Sequence, residues 1–523
     1  MKLLFNGGLN EQQTPHLYEC IEGSNFELGL RASKFVPRKP YDLKGTATNA
    51  SAINGFMQLV KRDNTETTLV QAGTTVYSWD GASTFTSKGS ADSTSRLRDA
   101  YWSLGDYLVI TDLGKATVVK KWDGTTFSTL TTALGTDLYA KYGIVYQNRV
   151  WLANVKTTSD TPHLMVASAF ENPESYSTAL RGGATTNGGG SFSTGLEAFY
   201  LLSPDLKPIN GITVFFDQLV ISTEGGRLYK LTGSTAATYQ WVDFYAGSAA
   251  TGNESIANIG NDVTYMKQGG GIDLLSTTER SGDVSADDLS RWIPDTTRDL
   301  EGAIIVYDQK AQKVFFFVEN KILVLFKDLV GAELSPWSVY KTTESFAMNT
   351  NAAKYMKRPG TQEFTVYFGD SAGRIFDLNG QAAGDAGATD ILVTRKTRYV
   401  HNGEGSDKTG VGGLNLMKKI LEGKVYYRRI VDPCDLTVSF DWGDEYNESS
   451  SVIPLKGAPT GSAGNYYGGS SYYNDVAYFA QGGAYAQKIS SQSFSPTGKG
   501  PGFFISTSIE TDVDFQVDYI EIG

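Results

Sequence analysis

Cysteine and histidine are nearly missing from this chain of 523 residues, which has two of the first and three of the second. Cys20 and Cys434 cannot build a disulfide framework, and with no CxxC pair they point to a reducing folding compartment. His16, His163 and His401 lie far apart and no HExxH occurs, so the sequence offers no metal site and no cofactor is expected. Long apolar runs are lacking too. The opening MKLLFNGGLNEQQ breaks at Gly7-Gly8, too early for a signal peptide. The most apolar segment, Val314 to Phe326, is interrupted by Glu319-Asn320-Lys321, so no membrane-spanning helix is expected. Positive charge is in deficit: 46 Lys and Arg face 57 Asp and Glu, a net charge of −11. Such a chain is a poor candidate for gripping nucleic acid, because phosphate binding relies on clustered cations. The same balance suits a surface past which nucleic acid slides without sticking.

Catalytic signatures are equally scarce. There is no GxSxG elbow, and neither cysteine has a catalytic surround. A phosphate-cradling loop fails at Asp407-Lys408-Thr409, where Asp407 and Asn402 replace the two glycines. No two carboxylates stand out as a glycosidase pair. Asp283, Asp287 and Asp288 miss the EF-hand spacing and its glycine. The expectation is a protein that is not an enzyme, with no catalytic residues.

What the chain does have is 57 Gly, abundant Ser and Thr, and 26 Phe, 29 Tyr and 8 Trp, against only 15 Pro. That mixture suits short strands, tight turns and large buried aromatic surfaces. GTTVYSWDG from Gly73 and GKATVVKKWDG from Gly114 place Trp79-Asp80-Gly81 and Trp122-Asp123-Gly124 before Thr-Phe. The first copy resembles the Asp-box of sialidase propellers at Ser78, Asp80, Thr84 and Phe85, with Gly81 one place early. In the second, Lys121 replaces the serine and Phe127 arrives one place early. Asp-Gly is the pair that tight hairpins prefer, so both copies are expected to be structural turns.

Gly226-Arg-Leu-Tyr-Lys-Leu-Thr-Gly233 and Gly373-Arg-Ile-Phe-Asp-Leu-Asn-Gly380 repeat the same grammar, each after another strand. The closing glycines 81, 124, 233 and 380 are 43, 109 and 147 residues apart. Those gaps approximate one, two and three units of roughly 40–55 residues, the period of a propeller blade. Further strands are expected at Tyr146–Asn154, His163–Ser168, Asp262–Met266 and Ile272–Leu275. The hairpin VFFFV-ENK-ILVLF is apolar on both faces and must be covered on both, as a blade between two neighbours would be. One short helix is expected in SADDLSRWIPD, capped by Ser285 and stopped by Pro294.

The fold class expected is therefore all-β. Residues 1–45 read as an extended arm that binds other surfaces, residues 46–385 as a β-propeller of about six blades, and residues 386–523 as a C-terminal β-sandwich or barrel-like domain. In that last domain, alternation around Val513–Tyr519 changes phase at Ile520, which implies a bulge near Tyr519. Its loop 456–487 carries Tyr466, Tyr467, Tyr472, Tyr473, Tyr478 and Tyr485 on small residues, a binding surface or a plain surface loop. Lys418, Lys419, Lys424, Arg428 and Arg429 are a phosphate or carboxylate contact or a solvated strand face. Gly182–Gly195 reads as a loop between blades. Asn49, Asn253 and Asn447 are glycosylation acceptors only in a secreted protein.

Several phrases, taken in order, resemble the tail-nozzle proteins, also called tail tubular or tail hub proteins, of short-tailed double-stranded-DNA bacteriophages. They are FNGGLNEQQTP, EGSNFEL and FVPRKP near the start, then Tyr146–Asn154 with MVASAFENPESYS at Met165–Ser177. GITVFFDQLVISTEGGRLYKLTG and NDVTYMKQGGGIDLLS with SADDLSRWI follow, so the resemblance spans residues 1–380. It implies a structural virion protein with no active site: a homohexameric ring at the distal end of the tail that continues the DNA-ejection channel. Portal-adaptor proteins and tail fibres or spikes would be its partners, duplex DNA would pass transiently, and assembly would take place in the host cytoplasm. A receptor-binding or glycan-cleaving propeller of a phage or bacterial surface is the other reading, favoured by the Tyr-rich loop.

Overall fold

The computed structural model describes residues 2–3, 8–12, 19–28, 36–132, 134, 136–176, 196–215, 217–246, 248–277, 284–298, 300, 302–318, 320–332, 334–341, 349–380, 391–397, 400–401, 423–428, 434–441, 449–455, 489–494, 502–511 and 516–522. The Tyr-rich loop, Gly182–Gly195, His16, Lys418, Lys419, Arg429 and Asp407 lie outside them.

Seven four-stranded antiparallel sheets follow one another along the chain. Six run through consecutive strands within 53–90, 97–129, 139–202, 209–245, 256–288 and 304–341. The seventh takes three strands from 350–377 and its fourth, Asp42–Thr46, from the other end of the sequence. The first strands of the sheets are Ile53–Val60, Leu97–Trp102, Tyr139–Tyr146, Ile209–Phe215, Ile256–Asn258, Ile304–Asp308 and Thr350–Lys357. Each touches the next, and the seventh touches the first, so the series closes on itself. That closed ring of four-stranded sheets is a β-propeller, a radial arrangement that leaves each sheet only short edges. Among the described residues the ring has seven blades, where about six were expected. The closing glycines 81, 124, 233 and 380 fall at the first, second, fourth and seventh of these sheets, so gaps of one, two and three units carry the full count.

Apolar side chains fill the space between successive blades. Met57, Leu69 and Val76 of the first blade pack with Leu108, Ile110 and Trp122 of the second. Tyr77, Trp79 and Phe56 meet Tyr367 and Ile375 of the seventh, which seals the ring. Lys313–Val318 and Lys321–Phe326 are buried at every position after the first, as their unbroken apolar run requires. Polar side chains tie blades together at one end. Gln71, fully buried, donates to the carbonyls of Gly73 and Ser95 at 3.1 and 2.7 Å and accepts from the Leu97 amide at 2.8 Å. Asn154 donates to the Ile209 carbonyl at 2.8 Å and Asn210 to that of Ala250 at 2.6 Å.

Two compact units emerge: Leu43–Asn320 with Met348–Asn379, and Met1–Asp42 with Lys321–Ala347 and Gly380–Gly523. The second unit differs from the three successive segments expected. Residues 1–45 were expected to be an arm that binds other surfaces, and their described strands pair with distant ones: Lys2 with Glu521, Cys20 with Thr397 and Ser24 with Thr394. Cys20, Phe26 and Tyr41 are fully buried, so this segment has a core to join. Its strands are only two to five residues long, too short for periodicity to announce them.

Two sheets form the C-terminal part of that unit. One runs Lys2–Leu3, Gln516–Ile522, Gly423–Arg428, Ile489–Phe494, and the other Cys20–Ser24, Ile391–Thr397, Gly502–Thr511, Cys434–Asp441, Ser449–Leu455. Burial alternates along Ile391–Thr397 and Cys434–Asp441, as a sheet with one covered face demands. The rings of Phe440 and Phe494, one from each sheet, lie 6.1 Å apart, which places apolar packing between the two. The expected bulge is present: Tyr426 faces Tyr519 while Tyr427 faces Val517, so Asp518 is the extra residue.

Three local expectations need correction. Tyr146–Asn154 is not one strand but the end of Tyr139–Tyr146, a turn at Gln147-Asn148, and the start of Arg149–Lys156. Both turn residues have positive φ, 47° and 54°, the requirement of a two-residue hairpin that Asn meets readily. In SADDLSRWIPD, Ser285 lies in strand Val284–Asp288 rather than capping a helix, because it pairs with Ser276. The cap is Asp288, which accepts from the Ser290 amide at 2.9 Å and starts the 3-10 turn Leu289–Trp292. Pro294 begins the helix Pro294–Thr297 instead of stopping one, at the position where its missing N–H is no loss.

Candidate functional site

Blade geometry brings the start of every inner strand to one end of the ring. There the propeller unit holds a cavity of about 450 Å³ lined by residues of five blades and their connections. Arg96 and Leu113 come from the second blade, Lys141 and Tyr142 from the third, and Gly252–Ser255 from the loop before the fifth. Ala303, Ile304 and Phe317 come from the sixth and Thr350 from the seventh.

Glu254 sits on the 3-10 turn Asn253–Ser255 and reaches across to both Arg96 and Arg98. Asn253 anchors that turn by accepting from the Ile212 amide at 2.8 Å, and Ser255 by donating to the Ala303 carbonyl at 2.8 Å. Burial, reinforced by the Arg96 charge, pushes the Arg98 guanidinium down to about 9, with Asp99 opposing. The Glu254 carboxylate at contact distance supplies the buried guanidinium with an opposite charge. Deeper along the ring, Lys354 Nζ pairs with Asp99 at 2.5 Å, and Asp99 also accepts from the Gln58 amide at 3.1 Å.

The propeller's own axis is thus crossed by ion pairs that link non-adjacent blades. Arg96, Arg98, Lys141 and Lys354 outnumber Asp99 and Glu254, so this axis is not lined by carboxylates. Both carboxylates are already engaged by cations, which leaves neither available as a free acid or base.

The Trp-Asp-Gly sequences are turns, and lie far from this cavity in role. Asp80 Oδ1 accepts from the amides of Ala82 and Thr84 at 2.8 and 3.1 Å, while Trp79 Nε1 donates to the Ala82 carbonyl at 2.7 Å. Asp123 Oδ1 accepts from Thr125 and Thr126, both at 2.8 Å. The Thr84 hydroxyl, with the two amides, holds the Asp80 carboxyl below the usual carboxylate range. Burial works against Asp123, but the amides of Thr126 and Thr125 outweigh it and hold that carboxyl low as well. Gly81 and Gly124 have φ of 89° and 97°. Each turn joins the third and fourth strands of its blade: Thr75–Trp79 to Phe85–Ser90, and Lys120–Trp122 to Phe127–Thr129.

Other singled-out residues do not converge. His163 lies in strand Asp160–Ala167 and His401 in Val400–His401. Asp287 pairs with Arg291 at 3.0 Å, and Asp288 caps its turn. Lys424 and Arg428 stand on one strand, Gly423–Arg428. Cys20 is buried, and burial raises its thiol to about 11; burial likewise raises Cys434 to about 11. Among the described residues no group of three or more His, Cys, Asp or Glu could hold a metal ion. None of the described helices is long and apolar enough to cross a membrane.

The cavity residues escaped sequence reading because they carry no local motif. Arg96, Lys141, Glu254 and Thr350 belong to four different blades. Their common feature is position at or just before an inner strand, which shows only once the blades are aligned.

The fold defines an all-β protein of the β-propeller class. No protein-family model matches the chain, and no curated protein matches it closely. Solved structures similar to it include the β-propeller domain of Cps50 (Swd1) from Myceliophteria thermophila, at 11% identity and a TM-score of 0.41. That match covers 65% of this chain and 99% of the other. The Pan2 WD40 domain of Neurospora crassa is similar at 8% identity and a TM-score of 0.39, covering 65% and 95%. A streptogramin B lyase is similar at 13% identity and a TM-score of 0.37, covering 68% and 96%.

Proposed function

We propose that this chain is a structural virion protein, a nozzle or hub at the distal end of a short phage tail. Six copies would form a ring that continues the DNA-ejection channel, docks portal-adaptor proteins and carries tail fibres or spikes. It would act without catalysis, in a virion tail assembled in the host cytoplasm.

The observation that carries this reading is where the resembling N-terminal phrases meet. Asn10 of NGGLN donates to Glu19 at 2.6 Å, and Glu19 accepts from the Ser335 amide at 2.5 Å. Asn25 of EGSNFEL accepts from Arg38 of FVPRKP at 2.9 Å and from the Lys341 amide at 2.8 Å. Arg38 donates further to the Lys39 and Lys341 carbonyls at 2.9 and 3.2 Å, and its guanidinium lies 3.7 Å from the centre of the Tyr41 ring. Phrases scattered over about thirty residues of sequence thus supply one buried polar network along strand Trp337–Lys341. Such networks specify a structure more than they do chemistry.

A second point agrees. Charges cross the propeller axis and tie its blades together, so a duplex has no route through a single copy. A conduit would have to lie between copies, as a ring provides. The acidic balance of the chain then disfavours phosphate sticking on the ring's inner surface.

Electron microscopy of the purified full-length protein tests the proposal. Six-fold rings with an opening wide enough for a duplex are expected, alone or on portal–adaptor complexes. A monomer or trimer that releases reducing sugar from host polysaccharide would overturn it in favour of the glycan-cleaving reading.

A further inference from the structure

The cavity at the end of the propeller axis is an unassigned site whose chemistry is legible without reference to the virion reading. Its volume of about 450 Å³ falls inside the range of small-molecule pockets, roughly 300–1,000 Å³. Its charges do not balance. Glu254 is shared by Arg96 and Arg98, so one carboxylate answers two guanidiniums. Lys141, also in the wall, makes no ion pair among the described residues. In the wall itself Arg96 and Lys141 face the single carboxylate of Glu254, so positive charge is in excess in a partly desolvated recess, where Coulomb attraction is several-fold stronger than in bulk water.

The wall also has an apolar side and an unused hydrogen-bonding group. Leu113, Ile304, Phe317 and the ring of Tyr142 line it. The Thr350 hydroxyl is buried there without a hydrogen-bond partner. A buried polar atom without a partner costs about 1–3 kcal/mol, which a bound acceptor or donor would relieve. Backbone stays close on one side because Gly252 and Gly302 carry no side chain into the space.

We propose that this cavity binds a small organic anion, a carboxylate or phosphate ester on a compact apolar or aromatic body. The anionic group faces Lys141 and Arg96, and the body lies against Leu113, Ile304 and Phe317. Glu254 keeps Arg96 and Arg98 in place and rejects cations from the same recess.

The full chain titrated with phenyl phosphate, benzoate, inorganic phosphate and phenol in a calorimeter tests this. Saturable one-to-one binding of phenyl phosphate or benzoate is expected, with phenol at least ten-fold weaker. If phenyl phosphate is the tighter of the two, the site takes a phosphate ester; if benzoate is, it takes a carboxylate. Lys141→Ala should weaken the tighter ligand at least ten-fold, and Leu113→Trp, which puts a larger side chain into the lining, should abolish binding. Lys120→Ala, on a strand outside the cavity, should leave it unchanged. Thermal unfolding of each variant without ligand shows that the fold is intact. Absence of saturable binding by either anion would overturn the proposal. So would phenol binding as tightly as the anions, or wild-type affinity in both Lys141→Ala and Leu113→Trp.

Discussion

Pro359 occupies the space into which a side chain on Gly81 would point: a Cβ built there would lie 2.9 Å from the proline Cβ and 3.0 Å from its Cγ. Pro359 belongs to the turn after the inner strand of the seventh blade, and Gly81 to the third turn of the first. The same relationship repeats one blade on, where a Cβ at Gly124 would lie 2.9 Å from Lys61 Cε. Trp-Asp-Gly therefore recurs for three concurrent reasons. The Trp packs between blades, the Asp closes the turn through backbone amides, and the Gly lets the preceding blade's turn come close at positive φ.

The two glycines should respond differently to alanine. Both substitutions incur the strain of a positive φ, about 1 kcal/mol. At Gly124 the obstructing atoms are the end of a flexible lysine, which can swing away. At Gly81 they are a rigid pyrrolidine ring, which cannot. Gly81→Ala should cost about 2 kcal/mol or more and Gly124→Ala about 1 kcal/mol, read as midpoint shifts in urea unfolding. Equal losses would show that the close approach to Pro359 carries no energetic weight.

Asp80 gives the same turn a pH signature. Its folded carboxyl is held below the ordinary value of 3.8 by the Thr84 hydroxyl and by the Ala82 and Thr84 amides. A depressed folded value means that the ionised form favours the native state. That contribution is present at neutral pH and is lost as pH falls below 3.8 through the lower folded value. Asp80→Asn retains an accepting oxygen but not the charge. Its melting temperature should fall below that of the wild type at pH 7 and converge with it near pH 3. A constant gap across that window would rule out the charge as the cause.

Legibility from sequence followed the length of the signal. The VFFFV and ILVLF runs demanded cover on both faces, and both strands are buried throughout. The phase change at Ile520 marked a real bulge, at Asp518. Where a local signal and strand pairing compete, the pairing prevails. Ser285 fits a cap, yet strand pairing with Ser276 wins because it continues a ladder begun at Thr277. Gln147-Asn148 reads as strand interior until positive φ at both positions reveals a hairpin. The N-terminal strands and the axial cavity were not legible. Both are made by residues hundreds of positions apart, such as Cys20 with Thr397 and Arg96 with Glu254.

Glu254 should be the costliest charge to remove in the propeller. Glu254→Gln leaves Arg96 and Arg98 facing each other with no carboxylate between them, and Arg98 is only 20% exposed. Loss of one partner from a mostly buried ion pair typically costs about 3 kcal/mol. The double variant Glu254→Gln with Arg98→Met removes the uncompensated cation and should recover a large part of that loss. Chemical denaturation of the four proteins in the cycle measures the coupling. If the double variant is no more stable than Glu254→Gln alone, the ion pair does not organise the axis.

Arg38 ties residues 25, 39 and 341 together while itself only 1% exposed. Truncation to alanine strands the Asn25 carbonyl oxygen with the Lys341 amide alone and empties the place beside the Tyr41 ring. Leaving buried partners unsatisfied at this scale should cost about 3 kcal/mol or more. Arg38→Lys keeps the charge but not the fork, and should recover little. Limited proteolysis should then cut within the first forty-odd residues of either variant at protease levels that leave the wild type whole. Wild-type resistance in Arg38→Ala would mean that strand pairing alone holds the segment.

The two thiols report the same integrity without mutation. Burial raises both Cys20 and Cys434 to about 11, against an ordinary value of 9.0. At a given pH below 9 the thiolate fraction is then about a hundredth of that of a free cysteine, and the thiolate is the reactive form. Cys20 is also fully buried, in the strand that pairs with Ile391–Thr397. Ellman's reagent at pH 8 should therefore label neither thiol rapidly in the native protein and both in urea. Arg38→Ala, by loosening the N-terminal segment, should release Cys20 well ahead of Cys434, which mass spectrometry of the labelled peptides resolves. Equal labelling rates in that variant would show that the segment opens only with the whole unit.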